Sequence, residues 1–337
     1  MDALLLSAIL LLLYRIKPCF INGNEAYLSV EDTNAVKGVF IIFVFFRHIT
    51  SYIDQFGKTD LHMLHLNYYL DQLIVVMFLF YSGYGIYYSI KNKERYMTTF
   101  FKKRILSLLL EFDIIVFLYY LVGRMIGKDY SAKRLLFSFA GWKSVGNSNW
   151  YIFSIFILYL ITLVSYMLFQ KRKALFILSH VILTALYIIT MMRYKESFWY
   201  NTVCAYVFGI FWGCYKDEID ELLKKKPVFL LLFVLSLITY HFSRTYSSHV
   251  VLYEIMSVSF ALIVLLVTKV IRFGNAALHF LGKNLFPLYM LQRLPMIVLS
   301  RNANVMSDNA VFMLCCALLT ILLTYGYVYI KQRIKSR

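Results

Sequence analysis

The sequence predicts an all-α protein, a polytopic bundle of about ten transmembrane helices with a short N-terminal apolar helix. Three observations predict it. The chain is 61% hydrophobic and 16% charged, with a mean hydropathy of +0.66, whereas a soluble domain is about 45–50% apolar and about 25% charged. Apolar runs of roughly 17–22 residues recur, each about long enough to cross the ~30 Å hydrocarbon layer of a bilayer. Basic residues gather at the ends of those runs, where membrane topology places them. The formal charge of +17 is therefore that of a membrane protein, with lipids as partners and no nucleic acid expected.

Residues 3–14 form a leucine-rich run closed by Arg15, Lys17 and Pro18. At 1.5 Å per residue it reaches about 21 Å, short for a span. No small-residue cleavage site follows, so it reads as an uncleaved accessory helix. Residues 18–34 are a polar linker in which Asp32-Thr33-Asn34 offers N-cap candidates. Residues 1–33 make one N-terminal unit and 34–337 one membrane domain. The expected spans cover 35–53, 70–90, 104–122, 150–169, 174–192, 198–215, 227–241, 250–271, 281–300 and 310–330.

Alternate loops differ in charge. One set holds Lys91, Lys93, Arg95, Lys102, Lys103, Arg104, Lys171, Arg172, Lys173, Lys216, Lys224, Lys225, Lys226, Lys269, Arg272 and Lys283, with Lys331, Arg333, Lys335 and Arg337 in the tail. It has roughly twice as many basic residues as the opposite set, which makes its side, and the carboxyl terminus, cytoplasmic. The longest loop on the opposite side, about 123–149, is itself basic and contains Gly141-Trp142. That suits the approach of an acidic or sugar-phosphate acceptor.

The first span carries the main candidate site. Lys37 and His48 stand eleven positions apart, on nearly the same helix face and about 16 Å along the axis. Lys37 then lies near one interface and the Arg47-His48 pair near mid-membrane, where an ionisable group is costly and marks function unless a neighbour satisfies it. On the second span, Ser82 and Gly83 allow close helix approach, Ser82 with a hydroxyl to share. The six basic residues from Lys91 to Arg104 suit phosphates or anionic headgroups. Glu111 and Asp113 lie inside the third span, and Glu111 is expected to pair with Lys37, Arg47 or His48.

Asn147-Ser-Asn-Trp150-Tyr151 opens the fourth span with interfacial aromatics. Gly209 and Gly213 form a small-residue helix contact. The ninth span is interrupted by Pro287 and Pro295 and places Gln292 and Arg293 in the bilayer, and broken helices of this kind line cavities. The five cysteines have no metal-ligand spacing, and no metal is expected. No Walker loop, GxSxG elbow or HExxH is present, which argues against an ATPase, a serine hydrolase and a zincin.

Four separated pieces resemble the acyltransferase-3 family of integral-membrane O-acyltransferases. They are Lys37 to His48, where many members have arginine at the first position; Phe80-Tyr-Ser-Gly-Tyr84; Trp150-Tyr151; and Leu281-Gly-Lys-Asn with Tyr289. The resemblance covers about residues 34–330. It implies O-acetyl transfer from cytoplasmic acetyl-CoA to a hydroxyl of a cell-surface or lipid-linked polysaccharide, in a bacterial cytoplasmic (inner) membrane. Under it His48 is the general base and Arg47 orients it or steadies the oxyanion. Lys37, Lys102, Lys103 and Arg104 hold CoA phosphates, and Ser82, Tyr84, Trp150, Tyr289 and Gln292 line the substrate pocket.

Two departures stand out. Where the family often has two arginines spaced Arg-x-x-Arg, Arg104 is followed by Ser107, leaving Lys102 and Lys103 to substitute. Gln292 stands where many members have a histidine, and an amide cannot act as a base. No SGNH hydrolase-like domain is attached, so transfer is expected in or near the membrane portion. The rival reading is a transporter or flippase of a small polar or lipid-linked solute, which intramembrane charge and a broken helix fit equally well.

Overall fold

The computed structural model describes residues 1–19, 23–170 and 172–335; Lys171 and Arg337, two of the basic residues named above, lie outside them. Helices dominate because proline is kept out of the apolar runs. Of four prolines, Pro18 ends a short strand, Pro227 sits in the first turn of a helix, and the other two fall in the one broken span.

The helices are α1 (Asp2–Leu13), α2 (Val30–Ile49), α3 (Leu61–Leu70), α4 (Val76–Asn92), α5 (Ser107–Met125), α6 (Ala132–Phe139), α7 (Trp150–Phe169), α8 (Lys173–Met192) and α9 (Cys204–Cys214). They continue as α10 (Lys216–Leu223), α11 (Lys226–Thr245), α12 (Val250–Val270), α13 (Ala276–Lys283), α14 (Leu285–Leu291), α15 (Arg293–Leu299), α16 (Ala303–Met306) and α17 (Asn309–Lys335). A two-stranded antiparallel ribbon, β1 (Ile16–Pro18) with β2 (Ile271–Phe273), was not foreseen from the sequence. The N-terminus of α2 also differs from expectation. Ser29 caps it by accepting from the Asp32 amide (3.1 Å), and Asp32 instead accepts from Arg272 Nε (2.8 Å) and Asn24 Nδ2 (2.6 Å).

Eight of the ten expected spans are helical stretches long and apolar enough to cross a membrane. Two are not. The stretch expected at 198–215 becomes turns followed by the eleven residues of α9. The stretch at 281–300 is the end of α13 followed by α14 and α15, broken at Asn284 and Gln292. Each break falls three residues before a proline. A proline in the third position of a helix leaves no bond unmade, but its ring would clash with the carbonyl four residues back if the helix ran on.

Glycines set the closest contacts. A Cβ on Gly38 would lie 2.1 Å from the Leu278 carbonyl, and one on Gly282 would lie 1.8 Å from the Asn34 carbonyl. That register runs α13 antiparallel against the start of α2. Gly83 and Gly209 do the same for α4 and α9, each meeting a backbone oxygen at 2.1 Å. Small residues allow such approach between membrane helices.

Ion pairs tie the cation-rich helix ends together at one end of the bundle. Lys91 meets Asp217 (3.0 Å), Lys269 meets Asp220 (2.8 Å), and Lys331 meets Glu111 (2.7 Å). Burial pushes the Asp220 carboxyl up, but hydrogen bonds from Lys216 and Lys269 outweigh it and hold the group below its ordinary 3.8. Tyr27 donates to that carboxylate (2.9 Å) and accepts from Trp212 Nε1 (2.8 Å).

Candidate functional site

Two internal cavities collect most of the residues singled out by sequence. The first, of about 410 Å³, opens near the basic end and is lined by Asn34, Lys37, Ser82, Arg104 and Lys283 among aromatic neighbours. Gly282 brings α13 against α2, so Lys283 shares a wall with Asn34 and Lys37. A wide π-type turn at Phe101–Leu106 precedes α5. From it Arg104 Nε donates to the Tyr96 hydroxyl (2.9 Å). Ser82 and Tyr159 share a hydrogen bond (3.0 Å). Three cations line this space and no carboxylate does. Among the described residues, the Lys37 ammonium forms no ion pair or hydrogen bond. Lys102 and Lys103 are exposed and do not line the cavity. Tyr84 stacks on Phe80 (6.5 Å, 6°) and also lies outside it.

The second cavity, of about 330 Å³, lies toward the opposite end. Its polar lining is Arg47, His48, Ser51, Asp71, Gln72, Ser144, Asn147, Ser148, Asn149 and Arg293, with Trp150 and Tyr289 as aromatic walls. Arg293 Nε donates to Tyr52 Oη (2.9 Å). Arg47 reaches to 3.9 Å from Asp71 Oδ1, and Tyr253 donates to Asp71 Oδ2 (2.7 Å). Asp71 itself has φ +41°, a conformation that L side chains adopt at a cost and that recurs at functional sites. Trp150 packs edge-on against Tyr151 and Phe198, both at 5.9 Å.

Buried polar atoms are normally satisfied. Here His48 Nδ1, Gln72 Oε1, Asn147 Nδ2, Ser148 Oγ and Tyr289 Oη are buried with no partner at hydrogen-bond distance and angle, although Ser148 and Tyr289 are close enough to sense each other. All five residues line this one cavity. A concentration of such donors and acceptors in one cavity suits a polar ligand.

Tyr289 lines both cavities. Its ring lies 6.0 Å from the His48 imidazole, tilted 51°, and 5.4 Å from the Tyr151 ring, tilted 58°. It therefore forms part of the wall between the basic chamber and the histidine chamber. Gln292, three residues further on, turns away. Its amide donates to the Tyr289 carbonyl (3.2 Å), and it lines a separate apolar cavity among Leu4, Ile41, Phe45, Leu288 and Thr320.

Glu111 is likewise elsewhere. It accepts from Lys331 through both oxygens (2.7 Å each), so its partner is α17 and not Lys37, Arg47 or His48. Asp71 was overlooked in the sequence. The signal was an acid and an amide side by side in an otherwise apolar run, Asp71-Gln72. Lys283 was read as one of the basic loop residues and as part of the Gly-Lys-Asn segment, and its place beside Lys37 depends on a contact no local pattern reveals.

Residues 30–329 match the family model described as an acyltransferase domain, Acyl_transf_3. The chain belongs to the acyltransferase-3 family. The match takes in seven of the eight long helices, most of the eighth and both cavities, so this family member is a membrane acyltransferase of the multi-pass kind. No curated protein and no solved structure matches it.

Proposed function

We propose that this acyltransferase moves an acetyl group from acetyl-CoA, taken up at the basic end, to a hydroxyl of a cell-surface or lipid-linked saccharide presented at the other. The supporting observation is the pair of chambers that meet at Tyr289. One is cationic without a carboxylate, which suits phosphates. The other holds a half-buried imidazole whose buried Nδ1 has no partner.

In this reading Lys37, Arg104 and Lys283 bind the CoA phosphates, while Lys102 and Lys103 add charge outside the chamber. The thioester reaches the Tyr289 wall. An acceptor hydroxyl attacks the thioester carbonyl as His48 removes its proton. Arg47 and Arg293 line the same cavity and stabilise the oxyanion of the tetrahedral intermediate. The C–S bond then breaks, and the thiolate leaves as CoA thiol with the proton His48 had taken. By the charge bias of the loops the basic end is cytoplasmic, in a bacterial inner membrane, with the acceptor on the far side.

Protein purified into lipid nanodiscs and given labelled acetyl-CoA tests this directly. Thiol release coupled to label on a saccharide is expected, and His48→Ala abolishes both. Wild-type protein that releases no thiol from acetyl-CoA with any saccharide present would refute the reading and favour transport.

A further inference from the structure

The histidine chamber continues sideways. It shares Ser144, Asn149 and Phe198 with a more polar cavity of about 530 Å³, set between the stretch after α6 and the α8–α9 connection. The floor of this groove is aromatic. Trp142 and Trp199 lie 6.0 Å apart at 56°, and Phe153 packs edge-on against each, at 5.4 and 5.5 Å. Lys195 Nζ sits over both indoles, 3.8 and 4.0 Å from their centroids, and donates to the Trp142 carbonyl (2.6 Å). Lys143 and Arg193 also line the groove and are exposed. Among the described residues none of these three cations forms an ion pair, and Glu196 is the one carboxylate in the lining.

Each feature has a bland purpose alone. Lys195 staples two rings, and loops carry charge. Together they are more selective. Indole faces offer flat apolar area with a polar edge, suited to amphipathic ligands. Unpaired cations beside them favour an anion. The polar lining is unsuited to acyl chains, and the shared residues lead to His48.

We infer that this groove is the acceptor subsite and that it takes an anionic saccharide, a sugar bearing a carboxylate or phosphate, whose hydroxyl then enters the His48 chamber. The inference rests on the reading of the acceptor as a saccharide and specifies its charge.

The test is a binding titration without acyl donor, in nanodiscs of phosphatidylcholine alone. Three of the four tryptophans, Trp142, Trp150 and Trp199, line the groove or the chamber beside it, so indole emission reports occupancy. Tetragalacturonate and N-acetylglucosamine 1-phosphate are the anionic probes, and cellotetraose is the neutral control. Saturable quenching by at least one anionic probe and none by cellotetraose is expected. Replacing the exposed pair, Lys143→Gln with Arg193→Gln, raises the dissociation constant about tenfold or more.

Quenching by neither anionic probe, equal quenching by cellotetraose, or an unchanged constant in the double variant would overturn the inference. So would loss of the signal when phosphatidylglycerol is added, which would make the groove a lipid-headgroup site. Because no thioester is present, each of these failures leaves His48-dependent thiol release standing, and the two readings fail separately.

Discussion

The two chambers on either side of Tyr289 use the same kinds of residue to opposite ends. Near the basic end, Lys37, Arg104 and Lys283 face a space with no acid in its wall. Around His48, Arg47 and Arg293 are set against Asp71 and a ring of amides and hydroxyls. An unbalanced cationic space holds a polyanion well and does little chemistry on it. A polar space whose two arginines are partly offset by Asp71, with an unpartnered imidazole among amides and hydroxyls, is equipped to handle a proton. The difference teaches that, under the proposed function, depth alone does not mark the reactive end. The composition of the lining does.

The strongest way to break that comparison is His48→Ala. It is expected to lower acetyl transfer by roughly 10²–10⁴-fold, the usual worth of a general base, with KM for acetyl-CoA unchanged in steady-state thiol release. A raised KM would assign His48 to donor binding and erase the distinction. Next in size, Lys37→Met is expected to raise KM for acetyl-CoA by roughly 10–100-fold, the range for a lost hydrogen bond to a charged group, with kcat largely kept and Lys37→Arg restoring most of it.

Tyr289→Ala sharpens the comparison by joining the chambers. Thiol release continues while labelled saccharide falls, because water reaches the thioester; Tyr289→Phe, which keeps the ring, stays coupled. Smallest of all, Glu111→Gln removes a pair that touches neither chamber. Its cost to thermal stability is at most about 1 kcal/mol, as for partly exposed ion pairs, and transfer is unaffected.

Much of this arrangement could be read from sequence. The spacing of Lys37 and His48 fixes their shared helix face whatever the neighbours, the proline-broken helix pointed to a cavity at Arg293, and the family resemblance placed Tyr289 in a pocket. The count of spans was harder. α9 is apolar because protein surrounds it, with Tyr206, Ile210, Trp212 and Gly213 all buried. α11 is apolar because lipid does, with Leu230, Leu231, Leu235 and Ile238 exposed. Hydropathy scores the two alike, since it cannot tell a core from a bilayer. The partner of Glu111 was illegible for another reason. Lys331 is 220 residues away, and local patterns carry no information about which distant helix packs alongside. Gln292 and Tyr289, only three residues apart, line different cavities, Gln292 at the end of α14 with its amide turned back to the Tyr289 carbonyl.

The glycine-mediated embrace of α2 by α13 has a consequence for biogenesis. The first long helix enters the membrane early in synthesis, yet the residues that complete its surroundings, Gly282, Lys283, Tyr289 and Arg293, are made more than two hundred positions later. Until then the Lys37–His48 face is without its permanent neighbours. For most of its synthesis, then, a helix face carrying two ionisable groups lacks the protein wall that later encloses it, and ionisable groups left so in a bilayer are costly.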